Sequence, residues 1–166
     1  MPILDATPGG ANSNSYGTIS EAASYFSATF ATARWAAVPD QVLALIVATS
    51  QLERHRWVGT RATSTQALRW PRWGVPYEDA GPYALFYPND TVPLPIKQGQ
   101  FELALYLSEN PDQDETGLDG FKSIQLSRDV KFEIQPLGKS PKSLPSTVLL
   151  ILNWFLLGQQ ATLIRA

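Results

Sequence analysis

Cysteine is absent from the 166 residues and histidine occurs once, at His55. Disulfides and thiolate chemistry are thereby excluded. A zinc site would need carboxylates around one imidazole, so no metal is expected. The spacing of Glu53 and His55 is not that of a metal-binding helix pair, and no glycine-rich phosphate loop follows a strand. A lone histidine on the polar side of a helix beside Arg54 and Arg56 reads as solvated rather than as a general base. The sequence therefore predicts no catalytic residue, no cofactor and no enzyme. Charge is scarce too, at 17% of residues against roughly 25% in an average domain, with a net charge of -2. The isoelectric point near 5.3 lacks the basic footprint expected of a nucleic-acid-binding domain. The only candidate membrane segment, Val148 to Leu157, has ten residues where a bilayer needs roughly 20, and is expected in a buried helix. Met1-Pro2-Ile3-Leu4-Asp5 lacks a basic segment followed by an apolar one, so no secretory signal is expected and the cytoplasm is the expected site of synthesis and residence.

What is present is proline (13) and tryptophan (5), both plentiful, with a charge asymmetry along the chain. Arg54, Arg56, Arg61, Arg69 and Arg72 fall in one segment; Glu109, Asp112, Asp114, Glu115 and Asp119 fall in another. Few charges and many aromatics point to a surface partly covered by other protein.

Thr18-Ile19-Ser20-Glu21 has the form of a capping box, which predicts a helix whose stripe Ala22, Tyr25, Phe26, Phe30 and Ala33 runs to about Ala33. Asp40 is the next N-cap, and Val42, Leu45, Ile46, Thr49 and Leu52 line a second helix ending near Arg56, paired with the first as a short hairpin. Residues 59–92 are punctuated by proline and glycine without a sustained period. Leu68, Trp70, Trp73, Tyr83, Leu85, Phe86 and Tyr87 are too apolar for disorder, so an ordered, packed loop is expected. Pro95 opens a third helix with the stripe Ile96, Gly99, Leu103, Ala104 and Leu107. Its glycine, unfavourable in a helix, signals a close crossing.

After an acidic loop, period-two alternation around Ser127-Arg128-Asp129 predicts a β-hairpin at about 121–134. A Pro/Lys linker leads to Pro145-Ser146, which opens a last helix with Gly158 placed to end it, followed by an apolar tail, 161–166. The expected class is mainly α: a small helical bundle with a long ordered loop, a β-hairpin and an extended C-terminal helix and tail. The expected division is residues 1–134 as helical core and 135–166 as linker, apolar helix and tail.

The last helix shows no polar face from Val148 to Leu157, so it is either the centre of the chain's own core or buried between subunits. Trp154, Phe155, Leu157, Leu163, Ile164, Arg165 and Ala166 are the expected interface residues, the tail being suited to adding onto a partner's strand edge. The segment Trp70-Pro71-Arg72-Trp73 is a rigid plug with charged handles. Trp57, Trp70 and Trp73 beside the five arginines also compose a single-strand recipe, rings to stack bases and guanidiniums to hold phosphates, against the commoner use of such residues as buried rings with snorkelling arginines. Asp112, Asp114 and Glu115 form a solvated turn or, alternatively, a lining that repels DNA.

Several segments taken together resemble a bacteriophage family of head-to-tail adaptor proteins (connector or head-completion proteins), a family also described as DnaT-like single-stranded-DNA-binding proteins. They are Asn14-Ser15-Tyr16-Gly17-Thr18-Ile19, Ala23-Ser24-Tyr25-Phe26, Trp35, Ala44 to Thr49 with Leu52-Glu53, Trp57-Val58-Gly59-Thr60-Arg61, Gln66 to Arg72 with Gly74-Val75, Val92-Pro93, and Ile96 ahead of Glu102 to Leu105. The resemblance covers about Asn14 to Leu107, with a looser echo in Leu163-Ile164-Arg165. It implies a mostly helical, non-catalytic subunit of a homo-oligomeric, dodecameric ring in the virion neck, assembled in the host cytoplasm. That ring would contact the portal protein above and a tail or neck component below. Genomic DNA would pass through its channel without sequence-specific binding, and no membrane would be involved. Trp70, Pro71 and Arg72 would brace the helices or meet a neighbour, and Leu163 to Ala166 would point toward the portal.

Overall fold

A computed structural model describes residues 3–78, 85–110 and 144–157. Among them the chain is mainly helical with one two-stranded sheet: α1 (Ile19–Ser27), α2 (Thr32–Ala36), α3 (Gln41–Leu52), β1 (Thr60–Arg61), β2 (Arg72–Trp73), α4 (Leu94–Glu109) and α5 (Ser146–Leu152), which tightens into a 3-10 turn, Asn153–Phe155. The hairpin expected at 121–134, Asp112, Asp114, Glu115, and the tail with Leu163, Ile164, Arg165 and Ala166 lie outside the described residues.

The capping box forms as expected: Glu21 N–H donates to Thr18 Oγ1 at 3.2 Å and Thr18 N–H to Glu21 Oε2 at 2.7 Å. The helix stops at Ser27, short of Ala33. Phe26 O there accepts from Thr29 N–H (3.0 Å), Thr29 Oγ1 (2.9 Å) and Thr32 Oγ1 (2.7 Å), so hydroxyls take over a carbonyl that would have carried the helix onward. The chain turns and restarts as α2, whose buried Trp35 stacks on Phe26 at 5.0 Å. Phe30, expected in the apolar stripe, sits at the apex of that turn, fully exposed.

Asp40 Oδ1 accepts from Leu43 N–H at 2.9 Å, and α3 buries Leu45, Ala48, Thr49 and Leu52. The helix ends at Leu52 rather than near Arg56. Arg54 N–H donating to Gln51 O and His55 N–H to Leu52 O tighten its last turn and release the chain. The expected pairing of the first two long helices is a minor contact, and α3 instead packs most extensively along α4.

Helix α4 is the centre of the fold, burying Ile96, Gly99, Gln100, Phe101, Leu103, Ala104, Leu105 and Leu107, a wider surface than the single stripe read from sequence. Gln100 is its polar hub. Its Nε2 donates to Ser15 Oγ, Leu45 O and Thr49 Oγ1 at 2.7–3.0 Å, and its Oε1 accepts from Gly17 N–H at 2.9 Å. Gly99 does mark a close crossing: a Cβ there would lie 2.7–2.9 Å from three side-chain carbons of Leu152 on α5. Helix α5 starts at Ser146 as expected and ends well before Gly158. The chain past it is drawn into an extended pairing, Val58 N–H donating to Phe155 O and Leu157 N–H to Arg56 O, both at 2.9 Å. Val148, Leu152, Phe155 and Leu156 are buried by the chain itself; Leu150 stays 83% exposed.

Candidate functional site

The arginine- and tryptophan-rich segment leaves α3, makes the β1–β2 ribbon and returns along the end of α5. Register pairs Thr60 with Trp73 and Arg61 with Arg72. Gly59 permits the entry to this ribbon: its φ is +77°, and a Cβ would sit 2.2 Å from Trp73 O, so no side chain fits there. Between the strands, buried Gln66 staples the loop. It accepts from Thr63 N–H at 2.8 Å through Oε1 and donates to Leu68 O (2.7 Å) and Pro71 O (3.1 Å) through Nε2. The Trp70–Pro71 peptide is cis.

Arg72 points inward and is only 8% exposed. Its fork donates to Val58 O (2.7 Å), Arg69 O (3.1 Å), Trp57 O (3.4 Å) and Gly59 O. Irregular backbone that has no ladder of its own thus has its carbonyls satisfied by one side chain. Burial, then the nearby Arg69 and Arg61 guanidiniums, push its pKa down. The carboxylate of Glu53 is the counter-charge. It accepts from Arg69 N–H at 2.9 and 3.1 Å and from the Tyr16 hydroxyl, and lies 3.8 Å from Arg69 Nε. Burial and the Glu53 charge raise the Tyr16 phenol well above its ordinary pKa, keeping it a donor.

The three tryptophans named for base stacking separate into two uses. Trp57 and Trp70 are core residues, T-shaped to each other at 5.9 Å, with Trp70 continuing edge-on to Phe155 at 5.7 Å. Neither can receive a base. Trp73 is 55% exposed, its indole donating to Ala62 O at 3.3 Å. Arg54, Arg56 and Arg61 are exposed and Arg69 is half-buried, so four guanidiniums remain at the surface while Arg72 does not. Tyr77 and Phe86 add exposed rings on the neighbouring Pro76–Phe86 bridge.

Of the expected interface residues, Phe155 is 2% exposed and packs on Trp70 and Tyr87 inside the chain. Trp154 is half-buried, its indole donating to Pro76 O at 2.9 Å, and Leu157 is 51% exposed. His55 is partly buried rather than solvated, and burial followed by Arg54 lowers its pKa. Among the described residues no three histidine or acidic side chains stand together to hold a metal ion, and no helix is long and apolar enough to cross a membrane. Glu53, Gln66 and Tyr16 organise the site, yet nothing in their local sequence announces it. Their partners are up to 37 positions distant.

The model of the family described as "Putative DnaT-like ssDNA binding protein" matches residues 2–130, and the chain belongs to that family. No curated protein and no solved structure matches it. The matched span takes in the ribbon and α1 to α4 and stops before α5.

Proposed function

We propose that this chain acts by binding, without catalysis, and that single-stranded DNA is its ligand, taken by the outer edge of the arginine/tryptophan ribbon. One observation supports the reading: within the span matched by a family described as binding single strands, a half-exposed indole, Trp73, stands on a two-stranded ribbon in a segment that also carries the exposed Arg54, Arg56 and Arg61. Base stacking on such a ring contributes about 1–3 kcal/mol and tolerates any sequence. Arg54, Arg56, Arg61 and Arg69 are the phosphate contacts; Arg72 is a positioning residue, its donors committed to carbonyls. Four contacts correspond to a salt slope of about -3, at roughly -0.7 each. Anisotropy of a labelled oligothymidine across a salt series tests this, with Trp73→Ala expected to weaken binding by about 10-fold or more. Absence of binding at low salt, or a Trp73→Ala protein that binds as the wild type does, ends the reading.

A second reading is the structural one, a ring subunit of a phage neck acting as head-to-tail adaptor between portal and tail. It is supported by the resemblance over Asn14 to Leu107, by the acidic isoelectric point, and by the exposed Leu150 and Leu157. Electron microscopy of the purified protein, alone and with portal, separates the two: rings favour the adaptor, and monomers decorating single strands favour the DNA-binding protein.

A further inference from the structure

Past β2 the chain makes a second short antiparallel pairing. Tyr77 N–H donates to Leu85 O and Tyr87 N–H to Val75 O, both at 2.9 Å, and these bonds flank the Pro76–Phe86 bridge. Alternation along the strands then assigns the faces. Val75 is buried and Tyr87 packs on Phe155 at 5.3 Å, so that face points into the chain; Phe86, on the opposite face, points out and is 53% exposed. The two residues of β2 divide likewise, Arg72 inward and Trp73 outward. Two rings are therefore displayed on the outside of consecutive ribbons. Between them stands Gly74, where a Cβ would meet nothing within 4 Å, so the surface from one to the other is open. The three residues from Trp73 to Pro76 reach about 10 Å at most, and a pair of the Pro76–Phe86 kind adds about 4.5 Å. At roughly 3.4 Å per stacked nucleotide, about four nucleotides or fewer cover that distance.

We propose that Phe86 is a second stacking step for the strand that Trp73 receives, so that the site takes several unpaired nucleotides in a row and rejects duplex, whose bases offer no free face. This rests on the single-strand reading above and adds to it a second subsite and a minimum length. Charge bounds the path. Exposed Arg61 follows Thr60, the residue paired with Trp73. Exposed Arg56 and the hairpin are tied to one turn, since Leu157 N–H donates to Arg56 O and the Trp154 indole to Pro76 O. Glu78, exposed one residue beyond Tyr77, is the acidic limit at the far end.

Binding of oligothymidines of about three and about ten nucleotides to the full chain tests the second step. Wild type is expected to hold the longer strand more tightly. Phe86→Ala is expected to weaken the longer strand about 5-fold and leave the shorter one unchanged. Its salt slope should match that of wild type, because a neutral ring holds no phosphate. Phe86→Tyr, which keeps a ring, is expected to bind as wild type does. Melting should be unchanged in both variants, since the side chain is exposed. A Phe86→Ala protein that holds the longer strand as wild type does, beside a weakened Trp73→Ala protein, overturns the second step and leaves the single-strand reading standing. An equal loss on both strands, or in both variants, also overturns it, by placing the effect in the hairpin backbone and not in the ring. A Phe86→Ala protein that loses self-association instead of DNA binding gives the ring to a second copy and overturns it as well. No binding of either strand by wild type overturns both readings.

Discussion

The α3/α4/α5 core and the ribbon at 57–73 are held by different forces. The core is close-packed apolar surface around one polar hub, Gln100, and its tightest point is a glycine meeting a leucine. The ribbon has two residues per strand, and one buried guanidinium serves the carbonyls that flank its short ladder. Burial of area spreads stability over many residues, whereas a side chain serving four carbonyls concentrates it in one. The two regions meet at Phe155, which touches Trp70 on one side and belongs to the α5 segment on the other.

Substituting that joint gives the largest expected effect. Phe155→Ala leaves a cavity shared by both regions and should lower unfolding free energy by about 3–5 kcal/mol in denaturant titration, with one transition lost rather than two. Arg72→Met sharpens the contrast. Four carbonyls lose a donor, but the ribbon can open to water, so about 1–3 kcal/mol is expected. Hydrogen exchange should accelerate in 57–73 while α4 amides stay protected, and an equal acceleration in α4 would show the regions to be one cooperative unit.

Tyr16→Phe removes the donor to Glu53 and should destabilise by about 1 kcal/mol at neutral pH. It carries a pH signature as well. Because the Tyr16 pKa is raised in the folded chain, its contribution is complete below the unfolded value of about 10 and is lost as pH rises toward the folded one. Alkaline stability curves of wild type should fall above pH 10 more steeply than those of the variant. The smallest effect on stability belongs to Trp73→Ala, within about 0.5 kcal/mol because the ring is half-exposed, even though binding is expected to suffer most there. A large fall in melting temperature would make Trp73 a packing residue.

Helix starts were legible because their chemistry is local. Thr18 with Glu21, Asp40, Pro95 and Pro145-Ser146 all stand where caps or first turns form. Gly99 was legible as a crossing because a mid-helix glycine needs a packing reason. Helix ends were not: the stop after Ser27 depends on two threonine hydroxyls competing for one carbonyl, and the stop after Leu152 on an extended pairing with residues almost a hundred positions earlier. The candidate site divided in the same way. Its arginines and rings were visible as a composition, but their allocation was not, since Trp70 and Trp73 differ in sequence only by position and in structure by complete burial against half exposure.

By itself, then, the sequence determined where four of the five helices begin, that a glycine must face another helix, and that the chain holds no cysteine and a single histidine. Tertiary structure alone decided which apolar groups go inside: it buried Phe155, displayed Phe30, and turned Arg72 from a surface cation into the scaffold of a ribbon. The physical reason is range. Caps and turns are settled by atoms a few residues apart, whereas burial and the satisfaction of a carbonyl depend on whatever distant segment the folded chain brings alongside.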